Sequence, residues 1–228
     1  MKIKICGLSR EQDIDYVNEA RPDYCGFVFA ESKRQVSPAQ AASLRRRLAD
    51  GITAVGVFVN APIEDITALY RSGVIDTAQL HGSEDEAYIA QLKEATGSTP
   101  IPVIQVVKSA SLNSNHGVHG VRKIFNSLSL KNSKLSAGQQ YSVVNSSDYY
   151  LIDSGSGSGE PFDWGLLNPL EIDKPWFLAG GINLDNIGQA MAVNPFGIDI
   201  SSGAETDGVK DREKILQLVS TIRKGKTI

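Results

Sequence analysis

Residues 52–59, Ile52-Thr53-Ala54-Val55-Gly56-Val57-Phe58-Val59, form a nearly unbroken β-branched and apolar run. A strand with one wet face alternates apolar and polar residues, so a run this uniform predicts a strand covered on both faces, as in a parallel sheet flanked by helices. The next segment agrees, because Ile63 to Arg71 carries apolar residues at helical spacing. One strand and one helix make a unit, and the unit recurs along the chain.

Upstream, Lys2 to Cys6 reads as a first strand, and Ser9 with Gln12 three residues later predicts a capping box for a helix to about Ala20. Tyr24 to Ala30 is the second strand, and Ser37-Pro38 opens a helix to about Ala49 with proline at the favoured first position. Downstream, Thr77 to Leu80 ends at His81-Gly82. The acidic stretch Ser83-Glu84-Asp85-Glu86 then suits the positive end of a helix to about Ala95, so these acids read as helix-start electrostatics rather than ligands. Pro102 to Val107 is a fifth strand.

Residues 109–147, rich in Ser and Asn, break the regularity, with an amphipathic helix near Val121 to Leu130 closing the fifth cycle. Order resumes with Tyr149 to Ile152, ending at Asp153, followed by the loop Ser154 to Gly159 and a helix from Trp164 to Leu170. Trp176 to Ala179 ends in Gly180-Gly181, with Asn183 capping a helix to about Val193. Gly197 to Ile200 ends in Ser201-Ser202-Gly203 before a final amphipathic helix, Arg212 to Arg223.

Eight such units predict an α/β chain closed into a single (β/α)8 TIM barrel over residues 1–228, with 109–147 as an expanded segment after strand 5 and the active site at the strand C-termini. The competing architecture is a doubly wound open sheet with Gly155, Gly157 and Gly159 as a nucleotide loop. That run is G-x-G-x-G rather than G-x-G-x-x-G, and it lacks a P-loop lysine.

The chain is 41% hydrophobic and 21% charged with a formal net charge of -3, which gives no general attraction to nucleic acid or an anionic membrane. A local basic pocket can still bind a phosphorylated metabolite. Cys6 and Cys25 lack metal-type spacing, which argues against a disulfide framework or zinc site and for a reducing cytosol. No apolar leader or membrane-length apolar window is present, and a cytoplasmic protein is expected.

In a closed barrel the polar residues just after each strand converge: Cys6, Arg34, His81, Asp153, Gly180-Gly181 and Ser201-Ser202-Gly203. A thiol, a carboxylic acid and a guanidinium around one pocket supply a base, an acid and an anion anchor, enough to move protons on a carboxylated or phosphorylated sugar without a cofactor. The glycine-bearing loops after strands seven and eight suit phosphate, because glycine lets backbone N–H groups approach an anion closely. Each residue also has a plainer role open to it. Cys6 suits a small buried site, Asp153 a loop cap, Arg34 a solvated loop and His81 a structural hydrogen bond. Asp199, inside the eighth strand, is expected to pair with a polar neighbour, and Trp164 and Phe162 to anchor core or loop.

The ordered motifs Lys4-Ile5-Cys6-Gly7-Leu8, Gly26-Phe27-Val28-Phe29 with Ser32-Lys33-Arg34, Val55 to Asn60, Gln79-Leu80-His81-Gly82, Leu151-Ile152-Asp153-Ser154, Phe162-Asp163-Trp164, Leu178 to Ile182 and Asp199 to Gly203 span nearly the whole chain. Together they resemble the phosphoribosylanthranilate isomerase family. The resemblance implies an Amadori rearrangement of N-(5-phosphoribosyl)anthranilate in tryptophan biosynthesis without metal or cofactor, by a monomer or weak homodimer. It implies Asp153 as general acid on the ribose ring oxygen, Cys6 as general base at C2, and Arg34 on the anthranilate carboxylate. His81 would also contact substrate. Phosphate would be held by backbone around Gly180, Gly181, Ser201, Ser202 and Gly203, beside the loop containing Gly157 and Gly159. These roles predict an Asp153 pKa shifted up and a Cys6 pKa shifted down. The chain departs from the family's pattern in the long 109–147 segment, whose His116 and His119 have no assigned role, and in Gly155 to Gly159, where the family tends to have Gly-Gly-Thr-Gly. Other readings of the same residues are another phosphosugar barrel isomerase and a non-catalytic phosphometabolite-binding barrel.

Overall fold

Each apolar run read as a strand pairs in parallel with the next. In the computed structural model, which describes residues 1–108, 146–153, 164–167, 172 and 174–225, the strands are β1 (Lys2–Cys6), β2 (Tyr24–Val28), β3 (Thr53–Phe58), β4 (Thr77–Leu80), β5 (Val103–Lys108), β6 (Tyr149–Asp153), β7 (Trp176–Ala179) and β8 (Gly197–Ile200), in that order around a closed barrel. Closure is made by β1 on β8, with Lys4 opposite Asp199. The open-sheet alternative is thereby excluded. The described helices are α1 (Glu11–Ala20), α2 (Pro38–Arg47), α3 (Ile63–Arg71), α4 (Glu86–Thr96), α5 (Ile187–Ala192) and α6 (Arg212–Lys224). None of them is long and apolar enough to cross a membrane.

The two-residue period of a strand sorts side chains into two layers. Ile3 and Ile5 of β1 join the main core with Ile14 and Val17 of α1 and Ile215, Leu218 and Ile222 of α6. A second, smaller cluster of Val55, Ile104, Leu151, Phe177 and Ala179 packs with Tyr24, Tyr149 and Phe196. Phe177 meets Tyr24 and Phe196 edge-on at 5.4 Å in both cases. Tyr24, Tyr149 and Phe196 stand at or just before strand starts, so these rings close the barrel's N-terminal end.

Several helix starts differ from the sequence reading. Helix α1 begins after Arg10 rather than Ser9, and its box is made by Asp13, whose Oδ2 accepts from the Ser9 and Arg10 amides at 2.9 and 3.0 Å while Oδ1 accepts from the Arg10 guanidinium. A buried carboxylate has acceptor capacity for all of these donors, which a serine hydroxyl lacks. Ser37 caps α2 as expected, accepting from Gln40 N–H. Asp85 caps α4, while Glu84 turns back to the Asn60 and Gly82 amides, in keeping with a structural role for these acids. Asn183 does not cap α5; its carbonyl accepts from Asp185 N–H in an Asx turn, and the helix begins at Ile187. Of the segment expected as a helix from Trp164 to Leu170, the described residues Trp164–Leu167 form a 3-10 turn, with Trp164 packed on the main core; residues 168–170 lie outside the described residues. The expected helix near Val121 to Leu130, the loop Ser154 to Gly159 and Phe162 lie outside the described residues.

One element was not foreseen. Between β8 and α6 lies a hairpin, β9 (Glu205–Thr206) and β10 (Val209–Lys210), turning through Asp207 and Gly208 with φ of 52° and 80°. Asp-Gly is the common pair for a two-residue hairpin turn, because both central residues need positive φ.

Candidate active site

The strand ends open onto a cavity of about 420 Å³ lined by Cys6, Arg34, His81, Asp153, Gly180, Gly181, Ser201 and Ser202. Residues separated by nearly two hundred positions in sequence thus share one space. Gly203 supports it from behind, since a Cβ there would overlap the Ile182 carbonyl. Gly157 and Gly159 lie outside the described residues. Gly180 and Gly181 have φ of 99° and 65°, a region that L side chains enter only with strain. Two further glycines clear space for the chemistry. A Cβ on Gly26 would approach the Cys6 sulfur to 2.6 Å, and one on Gly7, at φ 82°, would overlap the Arg34 stem.

Sequence reading missed Lys4 and Gln79. Lys4 lies two residues before Cys6 and therefore faces the same way. It is fully buried, its Nζ 2.8 Å from Asp199 Oδ2, and its charge acts on the Cys6 thiol. Burial alone would push the Lys4 ammonium down, but Asp199 and Cys6 outweigh it and hold its pKa above the ordinary lysine range. The expected pairing partner of Asp199 is thus Lys4. The signal was available, as a lysine inside an apolar strand is costly to bury unless paired. Gln79 Oε1 and Asp199 Oδ1 are buried acceptors in cavity-lining residues and have no hydrogen-bond partner among the described residues.

The expected downward shift of Cys6 is not found. Burial pushes the thiol up, opposed by Lys4. Sequence pattern supplied the thiol but not its desolvation, which depends on how the barrel closes above it. Cys25 is pushed up to about 12, chiefly by burial, and lies in the main core as an inert thiol.

Across the cavity, His81 Nε2 lies 3.4 Å from Asp153 Oδ2, while Gln79 Nε2 is 3.5 Å from His81 Nδ1. Arg34 is no solvated loop residue: its Nε and Nη2 donate to Glu205 at 2.6 and 2.8 Å. Despite burial, which acts the other way, Arg34 and Lys210 hold the Glu205 carboxyl down to about 2. Among the described residues no cluster of His, Cys, Asp and Glu has the make-up of a metal site. The arrangement offers a thiol and a carboxyl group for proton transfer, a guanidinium for an anion, and glycine-rich backbone for another.

Comparison with known proteins was made against this geometry. The model of the N-(5'-phosphoribosyl)anthranilate (PRA) isomerase family matches residues 3–119 and 111–221. A relative in Endomicrobium trichonymphae named N-(5'-phosphoribosyl)anthranilate isomerase is 43% identical over 97% of this chain and 98% of its own, and one in Clostridium acetobutylicum of the same name is 38% identical over 99% and 100%. Among solved structures, the phosphoribosyl anthranilate isomerase of Thermotoga maritima has a TM-score of 0.77 at 28% identity, covering 98% of this chain and 99% of its own. Another, solved with reduced 1-(o-carboxyphenylamino)-1-deoxyribulose 5-phosphate, scores 0.73 at 27% identity, covering 98% and 99%. A dimeric Thermotoga maritima isomerase solved as generated monomers scores 0.72 at 27%, covering 99% of both chains.

Proposed function

This chain belongs to the N-(5'-phosphoribosyl)anthranilate isomerase family and catalyses the Amadori rearrangement of that aminoaldose to 1-(2-carboxyphenylamino)-1-deoxyribulose 5-phosphate in tryptophan biosynthesis, and we propose that Asp153 and Cys6 carry its proton transfers. The observation that carries the proposal is that these two residues, from the ends of β6 and β1, line one cavity of about 420 Å³. Asp153 gives its proton to the ribose ring oxygen as the C1–O bond breaks, leaving a protonated Schiff base. The carboxyl needs a fixed direction to do this, and His81 beside it supplies one.

Cys6 then removes the C2 proton, the electron pair forming the C1–C2 double bond of an enolamine that tautomerises to the ketone. Burial pushes the thiol up, so thiolate is favoured by a cation close to it. The protonated Schiff base is that cation, and Lys4 supports the same charge from below. Arg34 receives the aryl carboxylate, and backbone of Gly180, Gly181, Ser201 and Ser202, backed by Gly203, receives the phosphate. The buried acceptors on Gln79 and Asp199 suit the substrate's hydroxyl and anilino N–H donors.

Loss of the anthranilate fluorescence on mixing with substrate tests the pair. Cys6→Ser and Asp153→Asn are each expected to cut turnover by about 10²- to 10⁴-fold, and full turnover in either variant removes that residue from the mechanism. We further take residues 1–228 as one domain that works as a monomer or weak homodimer in the cytoplasm. Sedimentation velocity across concentration tests the assembly, and the two free thiols suit a reducing compartment.

A further inference from the structure

The hairpin β9–β10 reaches the cavity-lining Arg34 through one carboxylate. Glu205, its side chain 5% exposed, accepts from Arg34 Nε and Nη2 at 2.6 and 2.8 Å and from Lys210 Nζ at 2.6 Å. Lys33 lies 3.9 Å away. Three cations around one carboxylate leave the cluster net positive, so it can still take an anion. A guanidinium gripped along its Nε–Nη2 edge keeps Nη1 and the outward Nη2 hydrogen, a second fork suited to another carboxylate. The arginine stem is fixed as well, since it passes over Gly7 where no Cβ fits. Lys210 also donates to the Ser201 carbonyl at 3.0 Å, tying the same cluster to the loop after β8.

We propose that Glu205 is a positioning residue for the known reaction, holding Arg34 in the orientation that presents its free edge to the substrate's aryl carboxylate. This rests on Arg34 being the carboxylate anchor. With Glu205 gone, a long flexible side chain regains its rotamers and the anchor loses its direction.

The test uses two ligands: reduced 1-(o-carboxyphenylamino)-1-deoxyribulose 5-phosphate, and the same compound with phenyl in place of carboxyphenyl, each titrated calorimetrically into wild type, Arg34→Ala, Glu205→Gln and the double variant. Glu205→Gln is expected to weaken the carboxylated ligand by about tenfold or more and the phenyl ligand by less than about twofold, with no further loss when added to Arg34→Ala. Equal weakening of both ligands, or of neither, overturns the proposal, because a hairpin that only supports the fold does not discriminate between them. If Arg34→Ala fails to separate the ligands, the anchor itself is misassigned; if it separates them and Glu205→Gln does not, only the role of Glu205 falls. Should Glu205→Gln fail to fold with Lys210 left unpaired, Glu205→Gln with Lys210→Met removes the orphaned charge and is judged by the same outcomes.

Discussion

Cys6 shows how one side chain's chemistry depends on its immediate neighbours. Its thiol is pushed up by burial, and Lys4 acts against that. Replacing Lys4 with Met keeps most of the volume and removes the ammonium, so the thiol must rise further. In a Cys25→Ser background, the pH at which iodoacetamide alkylates Cys6 is expected to move up by about one unit or more, about 1.4 kcal/mol per unit. An unchanged alkylation profile would mean that Lys4 supports only the fold. Gly26 makes a second, steric case: because a Cβ would come within 2.6 Å of the Cys6 sulfur, Gly26→Ala must displace the thiol. A fall in turnover of about tenfold or more is expected, with an overpacking cost of about 1–3 kcal/mol in urea unfolding. The thiol and its strand-end position were legible in the sequence; Gly26 as its clearance was not, since the two glycine hydrogens matter only once β2 lies beside β1 with Cys6 opposite Gly26.

Among the elements, the start of α1 and the β9–β10 hairpin show how capping and turn signals compete. Ser9 has the right residue type for a cap, but buried Asp13 takes the amides. Asp13→Ala is therefore expected to cost about 1–2 kcal/mol and Ser9→Ala less than about 0.5 kcal/mol in urea unfolding, where the Ser9 reading would reverse the order. The hairpin's carboxylate adds a pH dependence. Glu205 lies near 4.5 when unperturbed and about 2 in the folded chain, so the unfolded chain binds its proton first as pH falls. The stabilisation is complete above about 4.5 and disappears by about 2, amounting to about 3 kcal/mol at most. Acid unfolding of Glu205→Gln should lack this part of the slope. Asp207-Gly208 was the readable turn signal for the hairpin, yet its two-residue strands are too short to show a period.

At the level of the whole molecule, the closing seam also borders the cavity, through Cys6 of β1 and Asp199 of β8. Lys4 of β1 and Asp199 of β8 form a buried ion pair across the seam, and removing one partner leaves an uncompensated charge. Asp199→Ala is expected to cost about 3–5 kcal/mol, whereas Lys4→Met with Asp199→Leu should return stability to within about 1 kcal/mol of wild type. Turnover should stay lost in the double variant, because the thiol's cation is gone. Recovery of activity along with stability would show that the pair serves the seam alone.

The sequence by itself determined the repeated strand-helix unit, the parallel sheet and the residues standing at strand ends, because the two-residue and 3.6-residue periods are local and each element buries its own apolar face. Tertiary structure alone decided which of those residues acquire chemistry. Barrel closure brings Lys4 to Asp199, Arg34 to Glu205 and His81 to Asp153. Charge pairing and desolvation depend on distances between groups far apart along the chain, and no local pattern encodes those distances.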